Sequence, residues 1–441
     1  MKKSQSKSRD LLQQLVLNSA PSEYYQDDCV DISDIENLPV KIVAFYLPQF
    51  HCIPENDAWW GKGFTEWTNT TKAIPRFSGH YQPRLPGSLG FYNLTDANIL
   101  RQQAKLARRY GIGGFCFHHY WFNGNRLLER PIEILLNNSD IDMPFCINWA
   151  NENWTRRWDG HETAVLMQQN HSPEDDLLFA RSLEPYFRDP RYIKIEGRHL
   201  LMLYRPGILP NAAATVARWR KHFLDAGFPN PYITMAQAFN EGDPTEYGMD
   251  AAVGFPPFWV ESTASKDVKF FDQNYRGSIY NYEEMARSTI KSYETNNRVF
   301  PGVCPSWDNE ARRPGRGTCF TGSTPATYGR WLLAACEDSM QKFSGDERLV
   351  FINAWNEWAE GAYLEPDRHF GHAYLAETAR TLVGLRELPD LDECNAQIGR
   401  AIASDTGFSK SSVRRIRRLG SRLFSRVGNF ADDLAWKLRD D

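Results

Sequence analysis

The sequence predicts an α/β fold, a (β/α)8 TIM barrel with an N-terminal extension and a C-terminal basic amphipathic helical tail. Three observations lead there. From Lys41 onward, short apolar runs alternate with amphipathic stretches, the order expected of successive strand–helix units. Eight of those runs are nearly continuous in apolar side chains, as strands must be when both faces of a parallel sheet are covered. Polar and aromatic residues gather where the runs end, and that is the end at which barrels carry their chemistry.

Residues 1–38 read as the extension, polar with scattered acids (Asp27, Asp28, Asp31, Asp34, Glu36) and no sustained period. The barrel is expected over residues 39–390. Its strands are Lys41 to Leu47, Ile112 to His118, Met143 to Asn148, His199 to Tyr204, Tyr232 to Ala236, Ala251 to Phe255, Val299 to Cys304 and Leu349 to Ala354. Helical periodicity fills the intervals, for example Asp96 to Tyr110, with Leu100, Ala104 and Ala107 on one face, then Ala212 to Ala226, Ala326 to Phe343 and His372 to Leu385. A doubly wound open sheet is the alternative, but its first turn would be a glycine-rich phosphate loop. Here that turn reads Leu47-Pro48-Gln49-Phe50-His51.

Residues 391–441 differ in composition. Within them, Val413, Ile416, Leu419, Leu423, Val427, Phe430, Leu434 and Leu438 recur at helical spacing, with Arg414, Arg415, Arg417, Arg418, Arg422 and Arg426 between them. A basic amphipathic helix of this kind docks on its own domain, on another protein such as an assembly enzyme, or on a membrane surface.

At 441 residues the chain is long for one domain, but α/β barrels routinely reach such lengths. Hydrophobic residues at 42% supply a large core, and a net charge of −4 without a basic patch in the barrel gives no case for a nucleic-acid partner. Eight widely spaced cysteines without a C-x-x-C pair read as reduced thiols. The one apolar stretch near the N-terminus, Leu11 to Leu17, is broken by Gln13 and Gln14. It is too weak for a signal peptide or a membrane span, so a cytoplasmic location is expected, peripheral at the inner face of the membrane where the basic tail docks on a lipid surface.

The chain has 14 Trp and 19 Tyr, residues whose rings stack on the apolar faces of sugars as readily as they fill cores. The first strand exits into Tyr46, Gln49 and His51, the second into His118, His119, Tyr120 and Trp121. The third exits into Asn148, Trp149, Asn151, Glu152 and Trp154, the seventh into Trp307, Asp308 and Asn309, and the eighth into Asn356, Glu357 and Glu360. Five such clusters at one end are the equipment of a carbohydrate site, and they mark these residues as candidate substrate contacts.

Glycosidic bonds are commonly broken by two carboxylates. Glu357 and Glu360, three apart, would share one face of a helix-like turn, and two close acids raise one another's pKa toward the value a general acid needs. Glu66 and Glu152 are the competing acids. His51, His118 and His119 suit sugar binding better than a metal site: neighbouring His118 and His119 point to opposite faces of a strand, so no metal and no cofactor are expected.

The stretches Ala44 to His51, Trp59 to Trp67 (which contains Trp60, Glu66 and Trp67), Trp149 to Trp154 and Trp355 to Gly361 resemble the WbsX family. That family is described as similar to glycoside hydrolase family 99 and occurs among genes for O-antigen and other surface polysaccharides. The resemblance covers about residues 40 to 385. It implies a (β/α)8 barrel acting on a polysaccharide or a lipid-linked oligosaccharide, with family 99's pair of acids falling on Glu357 and Glu360. By that likeness Glu357 would take the proton of the sugar 2-hydroxyl, which closes a 1,2-anhydro ring, and Glu360 would protonate the leaving group and later activate water. The long aromatic motifs follow WbsX rather than family 99, so mannose is not implied. Family members are also labelled glycosyltransferases, and that activity, or a non-catalytic carbohydrate-binding or scaffold protein, is the alternative.

Overall fold

A computed structural model describes residues 2–28, 37–156, 161–238, 242–257, 268–293 and 298–387. Its centre is a parallel barrel. The strands are β1 (Lys41–Tyr46), β2 (Ile112–Phe122), β3 (Phe145–Trp149), β4 (Arg198–Leu203), β5 (Tyr232–Gln237), β6 (Ala251–Gly254), β7 in two pieces (Val299–Phe300 and Gly302–Val303) and β8 (Leu349–Ile352). Each apolar run expected from the sequence is one of these strands. Neighbours pair in chain order, and β1 pairs with both β2 and β8, in register Val43 with Gly114 and Val43 with Phe351.

The circle closes through β7. Its first piece pairs with β6 (Ala252 with Val299) and its second with β8 (Gly302 with Phe351). Pro301, which has no N–H, divides the two pieces, although its carbonyl still accepts from Phe351 N at 2.9 Å. Gly302 is required here by close approach: a Cβ on it would lie 1.8 Å from the Gly254 carbonyl oxygen.

Around the barrel lie α1 (Ala97–Arg109), α2 (Arg130–Asn137), α3 (Pro173–Phe187), α4 (Ala212–Asp225), α5 (Tyr282–Tyr293), α6 (Pro325–Lys342) and α7 (Ala373–Glu387). Side-chain caps start several of them. Asp96 accepts from Asn98 N, Ser172 from Asp175 N, Asn211 from Ala214 N, and Thr324 forms a capping box with Thr327. Among the described residues, the connection between β5 and β6 holds a 3-10 turn, Pro244–Tyr247.

β2 runs further than the sequence suggested. Tyr120, Trp121 and Phe122 pair antiparallel with Asn125–Leu127, so the aromatic run after His118 is a hairpin arm rather than a loop, with Gly124 at φ 91° in its turn. The extension also differs from expectation. Lys2–Ser19 is a helix, tied down where Asn18 Nδ2 donates to the carbonyls of His80 and Gln82, each at 2.8 Å. The following segment straps the C-terminal side of the barrel, Ser22 N donating to His369 O and His372 N to Gln26 O.

The six cysteines among the described residues are free, five of them buried. Among the described residues no helix is long and apolar enough to cross a membrane. The tail at 391–441, with its basic amphipathic stripe, lies outside the described residues.

Candidate active site

The exit of β8 is fixed first by backbone substitution. The Asn356 side chain accepts from Leu47 N at 2.7 Å and donates to Leu47 O at 3.0 Å, joining the exits of β1 and β8 as a strand neighbour would. Asn356–Glu357 then pairs with Ala362–Tyr363, and a 3-10 turn, Trp358–Glu360, closes the hairpin. Gly361 takes φ 63°, and its Cα side faces Arg84 and Asp308 N at 3.0 Å from where a Cβ would stand. Trp358, in the middle of the turn, stacks on Tyr363 with centroids 3.8 Å apart, meets Trp67 at 5.5 Å, and donates Nε1–H to Glu365 at 2.7 Å. An anchored tryptophan between them thus presents Glu357 and Glu360 on one side of the turn.

That side carries a three-acid cluster around one guanidinium. Arg312 places Nε 2.8 Å from Glu66 Oε1, Nη2 2.9 Å from Glu357 Oε1 and Nη1 2.7 Å from Glu360 Oε1. The contact to Glu357 is an ion pair by distance but lacks hydrogen-bond geometry, since Glu357 Oε1 has no hydrogen-bond partner. Glu66 and Glu357 are buried, and the Glu360 side chain is 23% exposed. Burial holds the Glu357 carboxyl well above its ordinary range, with repulsion from Glu360 and Glu66 adding to it and Arg312 opposing.

Three further strand ends face the cluster. Phe45 lies in the barrel interior with Phe255 and Phe351, and His118 is 5.8 Å from it. Desolvation, with help from the charge of Arg312, lowers His118 to about 4, so it is a neutral imidazole at pH 7. Tyr120 stacks over His118 and accepts from Gln49 Nε2 at 2.8 Å. Burial raises its phenol, and the charges of Glu357 and Glu66 act on it too. Asn148 Nδ2 lies 3.4 Å from His118 Nδ1. Gln49 Oε1, Glu66 Oε2 and Asn148 Oδ1 are buried acceptors without a partner, which suits a ligand rich in hydroxyl donors. Trp154 meets Tyr120 edge-on at 5.1 Å and Trp59 at 5.7 Å, forming an aromatic wall.

The structure therefore brings together Gln49, Glu66, His118, Tyr120, Asn148, Trp154, Glu357 and Glu360. Trp60, half-buried, stands near this wall against Phe64 at 6.0 Å. Glu152 is paired with Arg205 at 2.7 Å, bridging the loops after β3 and β4.

Other candidates are corrected by strand alternation, which turns every second side chain away from the cleft. Tyr46 donates to Gln103 of α1, His119 packs against Phe179 and Tyr186 of α3, Trp121 donates to Asp175 at 2.9 Å, and Trp149 stacks on Phe179 at 4.5 Å. These four support the helical layer instead of facing a substrate. His119, lowered to about 3 by burial, stays neutral there.

Others are taken up by framework bonds. Trp67 is enclosed by Phe50, Tyr92 and Trp358, and Trp307 is buried in an antiparallel pair with Phe320. Asn309 accepts from Thr318 N, and Asn151 exchanges two bonds with the Arg205 backbone. Asn356 is the tie already described. His51 is buried and lowered to about 4, chiefly by desolvation.

Asp308 belongs to a closed network. Its Oδ2 takes bonds from His80 Nε2 and Gln82 Nε2, each at 2.8 Å. His80, Asp308 and Cys319 stand close enough to hold a cation, but the donor set does not fit one. His80 Nδ1 accepts from Arg76 N at 3.1 Å, which leaves the ring proton on Nε2, aimed at Asp308. A cation on Nε2 would require the other tautomer, with Nδ1–H facing a second N–H.

Sequence reasoning missed Arg312, along with Arg84 and Glu365. The one available signal was position: Arg312 lies in the exit loop of β7, three residues beyond Asn309.

Comparison with known proteins matches this frame. Two relatives, both named "Uncharacterized protein WxcX" and from Xanthomonas campestris pv. campestris strains B100 and ATCC 33913, are each 46% identical over 348 residues, 79% of this chain. The chain spans about half the length of these curated relatives, the match covering 50% of each. Among solved structures, a "Glycoside hydrolase-like protein" superposes with TM-score 0.52 at 14% identity, covering 82% of this chain and 98% of its own. The GH99 endo-alpha-mannosidase of Bacteroides thetaiotaomicron superposes with TM-score 0.50 at 15% identity, covering 78% and 97%. At such identities these likenesses speak to the barrel alone. The family model described as "Glycosyltransferase WbsX" matches residues 42–378, which takes in the barrel strands but for Lys41 and all three acids of the cluster, and the chain belongs to that family.

Proposed function

We propose that this protein is a glycan-active enzyme that cleaves or transfers glycosyl units of a surface polysaccharide or its lipid-linked precursor, with Glu357 and Glu360 as its acid pair. The observation that carries the reading is the shared guanidinium: Arg312 lies within 2.9 Å of Glu357 and 2.7 Å of Glu360, so both acids can serve one bond. The buried acceptors of Gln49, Glu66 and Asn148 would take sugar hydroxyls, and Tyr120 and Trp154 would offer ring faces.

By the likeness to family 99, Glu357 removes the 2-hydroxyl proton as that oxygen attacks its own anomeric carbon. Glu360, nearer to solvent, protonates the departing oxygen and then deprotonates the incoming water or sugar hydroxyl. The second reading, a sugar-nucleotide-dependent glycosyltransferase, is favoured by the description of the family model.

The test is turnover of the source organism's surface glycan by wild type, Glu357→Gln and Glu360→Gln, with and without sugar nucleotides. Cleavage without nucleotide, lost in both variants, supports the glycosidase or transglycosylase reading. Product only when a sugar nucleotide is present would replace it with the transferase.

A further inference from the structure

We infer that Arg312 is the positioning residue that lets Glu357 carry a negative charge inside the barrel mouth, with Glu66 as the anchor that aims it. The inference rests on the proposed role of Glu357 as a base, and it adds a requirement that the acid pair alone does not meet.

A base must first be ionised. Glu357 is buried, and its neighbours on the same turn and on the exit of β1, Glu360 and Glu66, are both acids. The groups facing the cluster from β2 bring no positive charge at neutral pH: His118 is held to about 4, and the Tyr120 phenol is raised. The exit loop of β7 supplies the compensating charge, with Arg312 Nη2 2.9 Å from Glu357 Oε1.

Geometry explains why the group is an arginine. Three of its nitrogens each meet a different carboxylate, at 2.8, 2.9 and 2.7 Å. Glu66, 0% exposed and bonded through Oε1 to Nε, fixes the plane of the fork, leaving one terminal nitrogen 2.7 Å from Glu360 and the other within ion-pair distance of Glu357. An ammonium is a point charge and cannot span three acceptors in this way. The charges also count in a useful way. Three carboxylates around one guanidinium favour keeping one proton within the cluster, and burial draws it to Glu357, so Arg312 is the group that opposes this and lets the proton pass to the other member of the pair.

The experiment compares wild type, Arg312→Met and Arg312→Lys by two readouts. The first is the pH profile of kcat/KM on the surface glycan. The acid limb is expected to move up by a pH unit or more in Arg312→Met, a loss of about tenfold or more below the limb, with activity recovering as the pH rises and Arg312→Lys lying between. A loss equal at every pH would mean that Arg312 supports structure or binding only, and would overturn the inference.

The second readout needs no turnover. The carboxyl C=O infrared band that disappears in Glu357→Gln should persist to higher pH in Arg312→Met than in wild type. An unchanged midpoint overturns the inference whether or not a glycan is cleaved, whereas absent turnover with a shifted midpoint sinks only the proposed function. Should the methionine variant fail to fold, the lysine variant decides by the same, smaller shift.

Discussion

Glu365 offers a stability test of the scaffold beneath the acid pair. It is 2% exposed, and its carboxylate accepts from Trp358 Nε1 at 2.7 Å, Gln103 Nε2 at 2.7 Å and Tyr92 OH at 2.8 Å. Burial raises it from 4.5 to about 7, against the pull of those donors. The native state therefore holds a proton on Glu365 between about pH 4.5 and 7 that the unfolded chain has released. The stability it contributes is fully present below 4.5 and is lost as the pH rises through 7. A difference of this size amounts to about 3 kcal/mol. In Glu365→Gln the amide oxygen can keep Trp358 and Tyr92, and its N–H₂ is satisfied if Gln103 turns its own oxygen toward it, with Tyr46 OH then accepting from the Gln103 amide instead of donating to it. Urea unfolding from pH 4 to 8 should then show wild type losing about 3 kcal/mol relative to the variant as pH rises. A difference curve that is flat across this window would refute the reasoning, because the buried carboxyl would then titrate as it does in the unfolded chain.

Other outcomes follow from close contacts and ties. Gly302→Ala should destabilise by about 3 kcal/mol, since its Cβ would collide with the Gly254 carbonyl, while Gly384→Ala, with open space around it, should be neutral or gain up to about 1 kcal/mol; denaturant midpoints decide. Asn356→Ala strands Leu47 N and O and should cost about 2 to 4 kcal/mol, with turnover falling further than for Gly302→Ala at a temperature where both are folded. Burial opposes the charge of Asp308, but His80 and Arg84 more than offset it and hold the carboxyl below its ordinary value. Its contribution is present above the usual carboxylate range and lost as pH falls through the lowered value, so Asp308→Asn should flatten the acid end of the stability curve measured by thermal melts.

The strands were legible because a strand covered on both faces must be apolar along its length, as Ile147, Leu201 and Val350 show. That Glu357 and Glu360 come together was legible for a local reason: they are close in sequence and lie on one turn. What escaped was long-range or depended on orientation. Arg312 meets Glu66 across 246 positions, and no local pattern distinguishes it from Arg313 or Arg316. Trp121 and Trp149 stand at the same end of the barrel as Tyr120 and Asn148 but on the opposite side of their strands. The helix at the start of the chain escaped because its anchors are distant in sequence: Asn18 holds the carbonyls of His80 and Gln82, Gln14 accepts from Gly79 N, and Asp10 pairs with Lys269.

The interruption at Pro301 divides the wall of the barrel at β7 into two short ladders, one to β6 and one to β8, each with two paired positions. Elsewhere β1 and β2 share a register of five. The seam is thus the place where the fewest backbone bonds have to break for the wall to part, and amide hydrogens of Phe300 and Val303 should exchange with solvent sooner than those of Val43 or Phe117. The loop leaving that seam carries Arg312, so a parting of the wall there would move the guanidinium that three acids share.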